Sequence, residues 1–179
     1  MRELDLYVSK IEECINKLID KFIEYPHYFR SESDLKSYLY HLMVSQEVLY
    51  KEHITQTGIP IGIVHTEYPA TIGRFDLVVL DPTLVSELLL NNQKILCAIE
   101  IGLDTTYDHF EKDYSEKFVK EARNDVSYGY VLHFVKGESV HWKDIVDAID
   151  QVIEMKESSL LRKEETPIAK AIAVKSDSM

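Results

Sequence analysis

The sequence predicts a mixed α/β domain in which a sheet is layered against helices, and three observations point there. Apolar spacing changes along the chain in the order helix, helix, three strands, helix, strand, helix. The central strand segments are apolar on both faces, as a covered sheet requires. The chain has 179 residues, 45% of them hydrophobic, enough for one domain with a sizeable core.

Each element has its own warrant. Residues 3–24 place Leu4, Tyr7, Val8, Ile11, Cys14, Ile15, Leu18, Phe22 and Ile23 at helical spacing, and Pro26 ends the pattern. In "SESDLKSYLYHLMVSQEVLY", Ser31 is an N-cap candidate with Asp34 three residues on, and Leu35, Tyr38, Leu39, Leu42 and Met43 form the apolar stripe. That helix is expected to run to about Tyr50, where "TQTGIP" breaks it.

Three strands follow: "IGIVHTEYP" (61–69), "RFDLVVLDP" (74–82) and "KILCAIEIG" (94–102), the first two close enough for a hairpin. Residues 83–93 read as a short helix or an excursion loop. A third long helix is expected over 104–125, with Tyr107, Phe110, Tyr114 and Phe118 on one face as core packing. Strand 127–135 and an amphipathic helix over 141–157 come next, with Trp142 a packing anchor at that helix's start. The stretch 158–179 is a tail, or supplies an added edge strand over 168–175.

Bulk composition narrows the function. A net charge of −11 argues against a sequence-independent nucleic-acid coat protein, which carries a basic surface. It leaves room for an enzyme that meets nucleic acid through one local patch. No segment reads as a signal peptide, and no run reaches the roughly 20 apolar residues of a membrane span, so a cytoplasmic protein without membrane attachment is expected. Cys14 and Cys97 lie inside apolar patterns without CxxC spacing, which suits buried thiols rather than a zinc site or disulfide. There is no Gly-rich phosphate loop, GxSxG elbow or HExxH spacing.

One carboxylate stands out. Glu100 sits in the apolar run "LCAIEIGLD", and burying it costs several kcal/mol unless something compensates. Strand parity offers the compensation. Arg74, Asp76, Val78 and Leu80 share one face of the second strand; Lys94, Leu96, Ala98, Glu100 and Gly102 share one face of the third. If those strands are neighbours, Asp76 and Glu100 reach one point, with Glu67 from the first strand as a third contributor. Converging carboxylates call for a cation, and oxygen ligands of this kind suit Mg²⁺ or Mn²⁺. Plainer accounts stand beside this: Asp76 pairing with Arg74, Glu67 at the surface, Glu32 as a first-turn charge favouring its helix dipole, and His65 and His109 as structural histidines.

The order of these elements and their acidic residues resembles the PD-(D/E)xK nuclease-like superfamily, across roughly residues 31–135. The resemblance implies a restriction-endonuclease-like αβββαβ core, extended by the N-terminal helix of residues 1–26 and the C-terminal helix. The motif Asp matches Asp76 in "GRFDLVV" and the motif Glu matches Glu100 in "AIEIG". The auxiliary acidic residue of the first core helix corresponds to Glu32, or alternatively Glu47. It further implies hydrolysis of phosphodiester bonds in DNA with Mg²⁺ or Mn²⁺ bound by Asp76 and Glu100, aided by Glu32; Glu67 joins the candidate ligands from strand parity alone. The departure is at Gly102, where the family usually carries a lysine that orients water and stabilises charge on phosphate. Three readings follow. The lysine has migrated, with Lys117 on the third helix the candidate and Lys94 further along the Glu100 face; or metal and water suffice; or the domain now serves as a binding or assembly module. The amphipathic first helix would suit a homodimer or another protein partner.

Overall fold

The computed structural model describes residues 3–55, 58–69, 73–84, 94–104, 109, 126–136 and 168–176. Of the expected helices, residues 105–108, 110–125 and 141–157, with Lys117 and Trp142, lie outside the described residues. So do most of segment 83–93 and the stretch 158–167.

Helix α1 (Glu3–Glu24) buries Tyr7, Ile11, Cys14, Ile15, Leu18 and Phe22, the stripe its spacing predicts. Ile23 departs from that expectation at 53% exposed, because it falls off the stripe one residue after Phe22. A 3-10 turn at Pro26–Tyr28 then redirects the chain.

Helix α2 (Glu32–Val44) begins in a full capping box. The Ser31 hydroxyl accepts from the Asp34 amide, and the Asp34 carboxylate accepts from the Ser31 amide. Leu35, Leu39 and Met43 are buried, and Tyr38 and Leu42 flank them. The helix stops at Val44, earlier than the spacing suggests. The Ser45 amide and hydroxyl both donate to the His41 carbonyl, at 3.1 and 2.7 Å, and the Gln46 amide turns to the Met43 carbonyl, where the regular ladder ends. A short helix, α3 (Glu47–Tyr50), resumes after that break.

The expected strand 61–69 is divided. A small hairpin pairs β1 (His53–Ile54) with β2 (Pro60–Ile61), and the main sheet begins only at β3 (Val64–Pro69). The other strands are β4 (Arg74–Leu80), β5 (Ile95–Leu103), β6 (Val126–Lys136) and β7 (Ile168–Ser176). Their order is β3-β4-β5-β6-β7. The first three are antiparallel neighbours, whereas β6 runs parallel to β5 and β7 parallel to β6. Among the described residues the protein is thus mixed α/β around a mixed five-stranded sheet. The alternating stretch near the C-terminus supplies the edge strand.

Helix α1 is pinned to one face of the sheet. The Phe22 and Phe134 rings lie 4.9 Å apart between centroids, and the Tyr130 hydroxyl donates to Glu12 at 2.9 Å. In the β5–β6 ladder, Ile99 pairs with Tyr130, Ile101 with Leu132 and Leu103 with Phe134, so these six residues share the face under α1. Glu100, Gly102, Val131 and His133 therefore point to the opposite face. No helix among the described residues is long and apolar enough to cross a membrane.

Candidate functional site

The register sets where the carboxylates stand. Strand β4 pairs with β5 through Val79–Cys97, Val78–Ala98 and Leu77–Ile99. One step further on that register, Asp76 lies across from Glu100, both on the face turned away from α1. The ladder stops there. In its place the Asp76 side chain enters the gap, and its Oδ2 accepts a hydrogen bond from the Ile101 amide at 2.9 Å. This bond satisfies a backbone donor that the parted strands would leave open and fixes the plane of the carboxylate. Glu100 is 1% exposed.

Strand β3 brings a second carboxylate. It pairs with β4 at Thr66–Leu77 and Tyr68–Phe75, with Glu67 and Asp76 facing each other between those pairs. Glu67 has φ +53, left-handed backbone that a non-glycine residue adopts only where its surroundings impose it. Its side chain meets Lys36, which comes from the second turn of α2. The Lys36 ammonium donates to Glu67 and also to Asp76 Oδ1, the latter at 3.4 Å. Partial burial works against the lysine's charge, but its bond to Glu67 and the charges of Asp76 and Glu67 outweigh it. Its pKa is raised.

Glu32, in the first turn of the same helix, accepts from the Leu103 amide at 3.4 Å, so the start of α2 is moored to the end of β5. The capping box that fixes where α2 begins therefore also fixes where Lys36 and Glu32 arrive.

Gly102 is explained by its neighbour on β6, with which it is in register. A Cβ at Gly102 would lie 2.6 Å from His133 Cε1 and 2.7 Å from its Nε2. The imidazole of His133 lies against the glycine, where any side chain at 102 would begin. His133 is 1% exposed. Burial, with a smaller contribution from the charge of His109, pushes its pKa down to about 3, so the ring is neutral at physiological pH.

Set against the sequence expectations, Asp76 and Glu100 occupy one face of adjacent strands. Glu67 joins them through Lys36, and Glu32 stands at the Leu103 amide. Among the described residues Asp76 is held by Lys36 and the Ile101 amide, not by Arg74. Lys94 precedes β5, at the end of the strand away from Glu100, where its carbonyl accepts from the Asp81 amide at 2.9 Å. Lys36 is the residue the sequence reading missed. Its trace was the spacing Glu32–Lys36, i and i+4 on one helix face, which reads as an ordinary surface pair.

Among the described residues no group of three or more His, Cys, Asp or Glu side chains is arranged to hold a metal ion. Mg²⁺ asks for less. It keeps several waters and needs one or two carboxylates, the rest coming from substrate phosphate. Asp76 and Glu100 are two carboxylates of the kind Mg²⁺ takes, while Glu67 meets Lys36 and Glu32 meets the Leu103 amide. Compared with protein-family models, with curated proteins and with solved structures, the chain matches none.

Proposed function

We propose that the protein is a metal-dependent phosphodiesterase acting on DNA, built on a restriction-endonuclease-like core. The observation that carries this is the Lys36 ammonium on Asp76, at the point where β4 and β5 part and on the side of Glu100. A carboxylate pair with a neighbouring cation suits metal-dependent phosphodiester hydrolysis: ligands for a divalent ion and a positive group for the phosphate. Asp76 and Glu100 would hold Mg²⁺ or Mn²⁺, which supplies Lewis-acid polarisation of the phosphate and a water of lowered pKa.

The chain's own residues do the rest. The Ile101 amide fixes the carboxylate of Asp76, so little reorganisation accompanies binding. Lys36, on Asp76, supplies the cation that Gly102 does not and offers its charge to a non-bridging phosphate oxygen. His133 fills the space above Gly102 and excludes water there without adding charge. With a net charge of −11, the protein holds its substrate through this patch and the metal ion rather than through a broad basic surface.

A second reading, a binding or assembly module on the same fold, is favoured by the His133–Gly102 contact, which closes the position of the family's usual lysine. Cleavage separates the two. A labelled DNA duplex and its single strands are incubated with wild type, Asp76→Asn and Glu100→Gln in Mg²⁺ or Mn²⁺. Metal-dependent cleavage reduced at least ~100-fold in both variants supports the phosphodiesterase. Equal inertness of all three leaves the module.

A further inference from the structure

Among the described residues Lys36 has two carboxylate partners, and they hold it unequally. Glu67 is the closer, and Asp76 lies at 3.4 Å. Asp76 already gives its other oxygen to the Ile101 amide, whereas Glu67 comes from backbone at φ +53 between two flanking ladder pairs. Backbone in that region is imposed rather than preferred, and here it turns the carboxylate to the lysine. The lysine side chain is 18% exposed, so its charge is partly shielded from water and acts strongly on near neighbours. A divalent ion on Asp76 would stand next to that ammonium. Two cations cannot both rest on one carboxylate without repulsion, so one of them yields.

We infer that Lys36 is a displaceable counter-cation of this site: tethered by Glu67, it neutralises Asp76 until a divalent ion takes that carboxylate, and it then turns to substrate phosphate. The inference rests on the metal-dependent reading above and adds how the site is regulated. Glu67 is then a positioning residue for the lysine. The device keeps the carboxylates from repelling one another in the metal-free protein, and it sets the metal affinity below what Asp76 and Glu100 would have alone.

The test titrates MnCl₂ alone, without substrate, into wild type, Lys36→Met, Lys36→Arg, Glu67→Gln and Asp76→Asn by isothermal calorimetry. Circular dichroism melts establish that each variant is folded. Removing a unit charge beside Asp76 is expected to tighten Mn²⁺ binding in Lys36→Met about fivefold or more. Lys36→Arg, which keeps the charge, binds as wild type does. Glu67→Gln binds more weakly, because the ammonium no longer shares its charge with a carboxylate at 67 and gives more of it to Asp76. Asp76→Asn abolishes binding.

If Lys36→Met binds no tighter than wild type while Asp76→Asn still abolishes binding, the counter-cation idea fails and the metal site stands. If no protein binds Mn²⁺, the metal reading itself fails and takes this inference with it. Should Lys36→Met not fold, Glu67→Gln decides: unchanged or tighter binding overturns the proposal.

Discussion

Placing a methyl group on Gly102 tests the packing that sets this site apart. The Cβ of Gly102→Ala would lie 2.6, 2.7 and 3.0 Å from three atoms of the His133 ring. Ordinary carbon contacts lie at about 3.5–4.0 Å, so the ring must retreat by roughly 1 Å. His133 is 1% exposed and stands on a strand paired on both sides, and close-packed interiors absorb such shifts poorly. Overpacking of this kind costs about 1–3 kcal/mol. Replacing glycine by alanine returns about 0.5–1 kcal/mol by restricting the unfolded chain. The net expectation is a loss centred on about 1 kcal/mol, within bounds of about 0–2.5 kcal/mol, read by urea unfolding at pH 7.5. In Gly102→Ala/His133→Ala the clash is relieved, and the double-mutant cycle should show a coupling of about 1 kcal/mol or more. A Gly102→Ala variant more stable than wild type, or a cycle with no coupling to His133, would refute the account of why glycine stands there. The same clash predicts that Gly102→Lys costs stability at least as much as Gly102→Ala.

Two further outcomes follow from buried or capped groups. His133 is held neutral, with its pKa moved from the ordinary 6.5 to about 3. The unfolded chain therefore takes up a proton below about pH 6.5 that the folded chain refuses until about pH 3. This contribution to stability is complete above that upper limit and is lost as pH falls through the window, by up to about 1.4 kcal/mol per pH unit. Urea midpoints from pH 7 to pH 4 measure the slope, and His133→Phe should flatten it by about one proton. Ser31→Ala removes half of the capping box and should cost about 1 kcal/mol in the same assay, because the Asp34 amide loses its acceptor. A loss below about 0.3 kcal/mol would mean the cap does not hold the start of α2.

What the sequence made legible was local. The stripe of α1, the cap at Ser31 and the shared parity of Asp76 and Glu100 follow from periods of 3.6 and 2, which need no knowledge of neighbours. The end of α2 escaped because the bond from Ser45 to His41 breaks no hydrophobic pattern. The split at Ile61 escaped because Gly62 and Ile63 continue the apolar alternation while the pairing partner changes. Lys36 and His133 depend on long-range register: one on how α2 approaches β3 and β4, the other on the parallel pairing of β5 with β6. Gly102 did carry a usable signal. A glycine inside a strand marks a close approach by another group, and that group is the His133 imidazole.

The central claim is that Asp76 and Glu100 together hold a divalent ion, and diffraction at the manganese edge tests it most directly. Crystals soaked in MnCl₂ are predicted to show an anomalous peak within about 2.0–2.4 Å of a carboxylate oxygen from each residue, with Lys36 moved off Asp76. Clear density for both side chains with no peak between them, and Lys36 still on Asp76, would contradict the account.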